Sequence, residues 1–232
     1  MVVIKREVRR RLAVVRSAVI ETTFPRRCAG CGWRGTWVCD SCLSELRLYS
    51  SHWCDRCGIP VTHLCRCVQV PGSIARVRSA GPYELWLKSA IRLVKYDGES
   101  ARAAHLATLL LSPLSDLGPV DALVPVPLHR ERIRERGFNQ AELLATALAM
   151  SSGVAVNPMI YRSRNTLHQV GLSAAERAAN VAGAFSLRGD LDKSMKRVVL
   201  VDDVFTTGAT VHECAVTLQK GGVEQVSALT LC

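Results

Sequence analysis

The spacing of apolar positions changes character three times along this chain. Over residues 2–21, Ile4, Val8, Leu12, Val15 and Val19 recur at intervals of four, four, three and four, which sets them on one stripe of an α-helix. Arg6, Arg9, Arg10 and Arg16 fall off that stripe, and Pro25 closes the segment. The pattern predicts a basic amphipathic helix over residues 1–24. Such a helix either docks on the rest of the protein or lies on a membrane or a nucleic acid. Residues 26–70 carry few helix or strand signals, and Pro71-Gly72-Ser73 forms a short joint. Beyond it, residues 75–83 suit a strand, while 84–95 and 101–111 suit helices separated by the turn signal Asp97-Gly98.

From residue 121 a regular alternation begins. Ala122–Val126 reads as a short apolar strand, Asn139–Met150 as a helix and Val154–Ile160 as a strand. Ser173–Gly183 reads as a helix opening with a capping box, Ser173 and Glu176. Val198–Val201 is β-branched and almost wholly apolar, as in a strand buried on both faces. Thr210–Lys220 reads as a helix with a second capping pair, Thr210 and Glu213, ended by Gly221-Gly222. Val226–Leu231 is a last strand. Strands alternating with helices predict an α/β domain with a mainly parallel sheet over residues 75–232.

The 232 residues are 48% hydrophobic, enough for one ordinary domain with a small module attached. No apolar run approaches the roughly 20 residues that span a bilayer. The arginine-rich start is not followed by the apolar stretch of a signal peptide, so a cytoplasmic location is expected. The net charge of +10 is unevenly spread. Residues 1–78 hold 14 Lys/Arg against 5 Asp/Glu, whereas residues 79–232 hold 16 against 15. A basic front on a near-neutral body suits contact with something acidic, such as single-stranded DNA or an anionic membrane surface; the plainer reading is solubility.

Eight of the ten cysteines lie between Cys28 and Cys67. Cys28 and Cys31, Cys39 and Cys42, and Cys54 and Cys57 are C-x-x-C pairs, and Cys65 with Cys67 is a C-x-C. In a reducing compartment such clustering points to metal rather than to disulfides. Zinc is tetrahedral and takes four thiolates, so four close pairs predict two structural Zn²⁺ sites in a module over residues 25–71. The simplest pairing is sequential, Cys28, Cys31, Cys39 and Cys42 for one ion and Cys54, Cys57, Cys65 and Cys67 for the other; an interleaved pairing also satisfies the count. Trp33, Trp37 and Trp53 sit among these ligands, either covering a small core or offering rings to exposed bases. Cys214 and Cys232 lack metal spacing and read as packed residues.

The stretch Val198-Val199-Leu200-Val201-Asp202-Asp203-Val204-Phe205-Thr206-Thr207-Gly208-Ala209-Thr210 carries the most chemistry. A buried strand ends in two acids, a loop of small hydroxylated residues and glycine follows, and a helix starts. Ligands of open α/β sheets sit at the carboxyl ends of the strands. A helix N-terminus offers free N–H groups and a partial positive charge to a phosphate. Gly208 allows close backbone approach, and Thr206, Thr207 and Thr210 add hydroxyls. The two carboxylates would repel a phosphate, so they suit vicinal ribose hydroxyls or Mg²⁺. A second stretch, Pro125 to Gln140, follows a strand and carries Arg130, Arg132, Arg134 and Arg136. These suit phosphate recognition, or a solvated helix laced with Glu131 and Glu135. His129 and His168 are loop histidines with no partner evident in the sequence.

The acid-acid stretch resembles the thirteen-residue PRPP-binding motif of the type I phosphoribosyltransferases at every position. Together with the arginine stretch, Gln169-Val170-Gly171-Leu172-Ser173 ahead of Glu176, Arg177 and Asn180, Lys95-Tyr96 and the front cysteines, it resembles the ComF family, competence-associated phosphoribosyltransferase-like proteins, from about Phe24 to Cys232. The resemblance implies a type I phosphoribosyltransferase fold behind the zinc module. It implies that Asp202 and Asp203 bind the ribose hydroxyls and supply catalytic electrostatics to an oxocarbenium-like transition state. Thr206, Thr207, Gly208, Ala209 and Thr210 would cradle the 5-phosphate. The loop Pro127, Leu128, His129 and Arg130, assisted by Arg132, Arg134 or Arg136, would meet the diphosphate, with Mg²⁺ neutralising it as it leaves. It also implies partners among the competence machinery and single-stranded DNA, with an enzymatic and a DNA-binding accessory role both open.

Overall fold

A computed structural model describes residues 25–49, 53–61, 64–65, 67–166 and 173–232. The helix expected over residues 2–21, His168 and Gln169 to Leu172 lie outside the described residues.

The body is built on a four-stranded parallel sheet ordered β1 (Val77–Ser79), β6 (Gln225–Thr230), β5 (Arg197–Asp202), β2 (Ala122–Pro125). The strands are apolar almost throughout because both faces are covered. Val199, Val201 and Leu229 turn to one face and join a core with α2 (Leu85–Tyr96), α3 (Arg102–Thr108) and α6 (Gln140–Ser152). Val198, Leu200, Val226 and Ala228 turn to the other and pack on α8 (Ala209–Lys220). This is the two-residue alternation of a strand read twice over. Beyond β2 the sheet is extended by a single parallel bridge, Leu123 to Val156. Of the strand expected over Val154–Ile160, the main sheet keeps that bridge alone, and Ile160 opens the next strand instead. The chain then turns into a separate antiparallel pair, β3 (Ile160–Arg162) with β4 (Phe185–Leu187).

Other expectations are adjusted in detail. The helix expected over residues 101–111 is two short helices, α3 and α4 (Leu111–Asp116), the second with Pro113 in its first turn, where a missing N–H is tolerated. The arginine stretch forms α5 (Arg130–Arg136), capped by His129 Nδ1 accepting from the Glu131 N–H at 3.4 Å. The capping box of Ser173 and Glu176 is formed at α7 (Ala174–Val181). The Thr210 and Glu213 pair is not. Gly208 is the N-cap of α8, two residues earlier, and Glu213 instead accepts the Gly183 N–H at 2.8 Å.

Among its described residues the cysteine module contains one short α-helix, α1 (Asp40–Glu45), and a 3-10 turn at Cys67–Gln69, and it is seated on the body by two buried arginines. Arg102, fully enclosed, donates to the Trp37 and Arg27 carbonyls at 2.8 and 2.9 Å and pairs with Glu99. Its guanidinium lies 4.7 Å from the Trp37 ring centroid. Arg78 reaches the Asp55 carbonyl at 3.0 Å, pairs with Asp116 and lies 5.4 Å from the Trp53 ring centroid. Each charge is buried with its donors occupied, the condition under which burial is tolerated. At Gly58 a Cβ would fall 2.2 Å from the Val77 carbonyl oxygen, so a left-handed glycine (φ 68°) lets the second half of the module lie against β1.

Candidate functional site

The eight clustered cysteines fall into two groups, Cys28, Cys31, Cys39 and Cys42, and Cys54, Cys57, Cys65 and Cys67, whose sulfurs lie within 4.8 Å of one another in each group. This is the sequential pairing. Sulfur separations of 3.7 Å for Cys28 and Cys39, and 3.6 Å for Cys54 and Cys65, compare with about 3.8 Å expected when four sulfurs sit 2.3 Å from a tetrahedral Zn²⁺. The first pair of each group, Cys28 with Cys31 and Cys54 with Cys57, sits on a knuckle whose backbone N–H groups point at sulfur. At Cys54 those of Cys57 and Arg56 hold the thiol down to about 6, ready to bind metal as thiolate. The donor sets fit two structural Zn²⁺ ions with no open position.

The acid pair stands at the carboxyl end of β5, in the middle of the sheet, and its two members differ. Asp203 is buried; its Oδ1 lies 2.9 Å from Lys95 Nζ, and its Oδ2 is enclosed without a hydrogen-bond partner. Burial pulls the Lys95 ammonium down, but Asp203 more than offsets this and leaves its pKa raised. Asp202 is half-buried, and its Oδ1 accepts the Asp203 N–H at 2.8 Å. Burial and then the neighbouring Asp203 charge push it up to about 7, against the opposing pull of Lys95. Of the two acids, Asp202 is the one with a carboxylate available to a ligand. The sequence-based expectation treats them as equivalent; Asp203 instead spends its accessible oxygen on Lys95.

Five residues after the acid pair the loop closes on Gly208, in the left-handed region at φ 74°. A Cβ there would lie 2.8 Å from Phe205 Cζ and 2.9 Å from Pro71 Cδ. Gly208 therefore meets both needs, the backbone angle and the space. The Phe205 N–H donates to the Cys232 carbonyl at 2.7 Å, tying the loop to the residues that follow β6. Thr206 is exposed; Thr207 and Thr210 are half-buried around the first turn of α8, which has no acidic residue to compete with an anion. The loop is braced from outside by the segment leaving the second cysteine group. Pro71 packs on Gly208, Ser73 Oγ lies 2.7 Å from His212 Nδ1, and Gln219 Nε2 donates to the Ser73 carbonyl at 3.1 Å.

The loop after β2 lies at the same edge, since β2 pairs with β5 in register Pro125 to Val201. Pro127 is buried, Leu128 and His129 half-buried and Arg130 exposed. Asn139 Nδ2 holds the Val126 carbonyl at 3.1 Å. Arg132 Nη2 donates to the Thr166 carbonyl at 3.0 Å. Arg136 donates to Gln140 and lies 5.7 Å from the Tyr96 ring centroid, which joins α5 to the end of α2 that carries Lys95. One residue the motif reading missed is Arg162, buried on β3 and within electrostatic reach of Asp202. Its signal was present: Ile160 and Arg162 share a face of a strand by the two-residue period.

Residues 19–71 match the double zinc ribbon domain. The chain is 36% identical over 206 residues to the "DNA utilization protein YhgH" of Salmonella typhimurium, covering 84% of this chain and 89% of that one. It is 34% identical over 209 residues to "Competence protein F" of Haemophilus influenzae, covering 86% of each. The chain belongs to the ComF family. Another ComF-type relative, "Competence protein ComFC" of Bacillus subtilis, is 33% identical over 206 residues, covering 84% of this chain and 83% of its own length. The ComF architecture here is thus a double zinc ribbon fused through buried arginines to a parallel α/β body. Among the described residues no helix is long and apolar enough to cross a membrane.

Proposed function

We propose that this ComF protein binds PRPP, or another ribose 5-phosphate ligand, at the carboxyl edge of β5 and transfers the ribose 5-phosphate group to an acceptor. The observation that carries the reading is the half-buried Asp202 set a few residues from the glycine-started turn of α8, with Asp203 withdrawn onto Lys95. The first-turn N–H groups of α8, with Thr206, Thr207 and Thr210, take the 5-phosphate. Asp202 accepts hydrogen bonds from the vicinal hydroxyls and, on the ring, stabilises positive charge as the bond from C1 to the diphosphate oxygen breaks and a nucleophile bonds to C1. Loss of one such preorganised group lowers turnover by about 10²–10³. When bound, Mg²⁺ supplies charge neutralisation to the departing diphosphate. The zinc ions hold the front module folded and take no part in the chemistry.

A second reading, a single-stranded DNA-handling accessory with a regulatory or vestigial ribose-phosphate site, is favoured by one observation. Trp33 is 71% exposed beside the exposed Arg34, whereas Trp37 and Trp53 are covered by Arg102 and Arg78. The relatives' names, competence and DNA utilization, agree with a role in handling DNA. Calorimetric titration of the zinc-loaded protein with PRPP and Mg²⁺, beside Asp202→Asn, separates the readings. Saturable binding lost in the variant establishes the ribose-phosphate site and warrants a search for the acceptor, whose turnover distinguishes transfer from regulation. No binding by the folded wild type leaves the accessory role with a vestigial site, whose DNA affinity would fall steeply with salt.

A further inference from the structure

The two cysteine groups attach to opposite faces of the sheet. Cys28 and Cys42 belong to the core that holds Trp86, Leu87 and Val201, on the α2 side. Cys57 belongs with Val70, Ile74, Val211 and Cys214 to the core on the α8 side, and Cys54, Cys67, Phe205 and Ala209 pack against it. The second group therefore shares its core with the loop that the proposed function gives to the 5-phosphate.

A short path of contacts joins that group to the loop. Three residues separate the ligand Cys67 from Pro71. The 3-10 turn over Cys67–Gln69 brings the Val70 N–H to the Cys67 carbonyl at 3.0 Å. The buried Val70 accepts Arg56 Nη2 on its carbonyl at 3.3 Å, and Arg56 stands between the ligands Cys54 and Cys57. Pro71 comes next; its Cδ and Cγ would lie 2.9 and 3.0 Å from a Cβ at Gly208. The Pro71 carbonyl accepts the Ile74 N–H at 3.0 Å, and in the turn so formed Ser73 Oγ meets His212 Nδ1, in the first turn of α8, at 2.7 Å. Glycine has more backbone freedom to lose than any other residue, so a loop hinged on Gly208 gains order from an outside brace. The brace is itself the tail of a metal-held knuckle, and such knuckles fold with their metal.

We propose that Pro71 and Ser73 are positioning residues through which metal at the second cysteine group, more than metal at the first, sets the affinity of the α8 turn for ribose 5-phosphate. The ligand in this inference rests on the ribose-phosphate reading; the coupling rests on the contacts between residues 67–73 and α8. Coupling between two binding sites is reciprocal. If closing the second group preorganises the turn, filling the turn tightens the second group by the same factor.

The test uses the zinc-loaded full chain as wild type, Cys65→Ser, Cys31→Ser, Pro71→Ala and Ser73→Ala. In calorimetry with ribose 5-phosphate, Cys65→Ser should bind about tenfold or more weakly, and Cys31→Ser should lose about threefold at most. Pro71→Ala and Ser73→Ala should keep two zinc ions and still bind about threefold to tenfold more weakly. The single zinc of Cys31→Ser lies at the second group; saturating ribose 5-phosphate should raise about tenfold the concentration of a chromogenic chelator that removes half of it. The single zinc of Cys65→Ser, at the first group, should respond far less. Without ligand, hydrogen exchange at residues 205–211 should quicken in Cys65→Ser, Pro71→Ala and Ser73→Ala while Gln225 to Ser227 keep their protection; a general loss of stability would loosen both. Unchanged affinity and unchanged exchange at 205–211 in Pro71→Ala and Ser73→Ala would overturn the coupling, and these two variants carry the test should Cys65→Ser fail to fold. A wild type that ignores ribose 5-phosphate, with 205–211 loosened in the variants, would keep the coupling of the second group to the loop and overturn the ribose reading instead.

Discussion

Replacing Lys95 with methionine removes the counter-charge of Asp203 while keeping most of the side-chain volume. The two charged groups are 2.9 Å apart, with side-chain exposures of 21% for Lys95 and 7% for Asp203. At an effective dielectric of about 20 their attraction is about 6 kcal/mol, part of which offsets the cost of taking both out of water. Loss of one partner from a buried pair costs about 3–5 kcal/mol, because the remaining charge is stranded. Asp203 is badly placed to relax, as its Oδ2 already lacks a partner. Lys95→Met should therefore lose about 3–5 kcal/mol in urea unfolding at pH 7.5 with zinc saturating, a large share of the 5–15 kcal/mol typical of a domain. The double variant Lys95→Met, Asp203→Asn removes the stranded charge and should recover most of that loss. A loss under about 1 kcal/mol in the single variant, or no recovery in the double, would refute the claim that Asp203 is held by this ion pair rather than free for ligand.

Three further outcomes are expected. Asp202 is raised to about 7, above its value in the unfolded chain, so it holds its proton in the folded state between about pH 4 and 7. The stability this lends is present at acid pH and fades as pH rises through about 7, whereas ribose binding, which needs the carboxylate, should strengthen over the same rise. Asp202→Asn should flatten both profiles beyond what the ligand's own phosphate titration contributes. Atomic emission should find two zinc ions per chain; Cys31→Ser and Cys65→Ser, at exposed ligands of different groups, should each lose about one. Gly208→Ala puts a Cβ into Phe205 and Pro71 at a left-handed angle that itself costs about 1–2 kcal/mol. It should lower the melting temperature and abolish ribose 5-phosphate binding; wild-type affinity in this variant would remove the α8 turn from the site.

The parts of the protein legible in its sequence are those where one local rule decides. The run Val198–Val201 is apolar on both parities, and it forms the central strand with both faces covered. The cysteine pairs are legible as ligand knuckles by their spacing, while the choice of sequential over interleaved grouping comes from the fold. Legibility failed where long-range packing decides. Thr210 and Glu213 satisfy a capping rule, but the helix begins at Gly208 because Pro71 and Phe205 fix the loop there. Val154–Ile160 has strand composition, yet within it only Val156 bridges to the main sheet, and Ile160 already belongs to β3, which leaves that sheet to pair with β4. Lys95, Arg78, Arg102 and Arg162 look like surface charges in the sequence. Each is buried or nearly so because a carboxylate, carbonyls or a ring from a distant segment meets it, and no local pattern announces such partners.

Hydrogen exchange followed by mass spectrometry, on zinc-loaded protein with and without ribose 5-phosphate, tests the central claim most directly. If the phosphate lies on the first turn of α8, amides of residues 205–211 should exchange more slowly with ligand, while those at the opposite end of the sheet, Gln225 to Ser227, should not change. Saturating ligand that leaves 205–211 unprotected, or protects another segment instead, would contradict the assignment of this loop as the ribose-phosphate site.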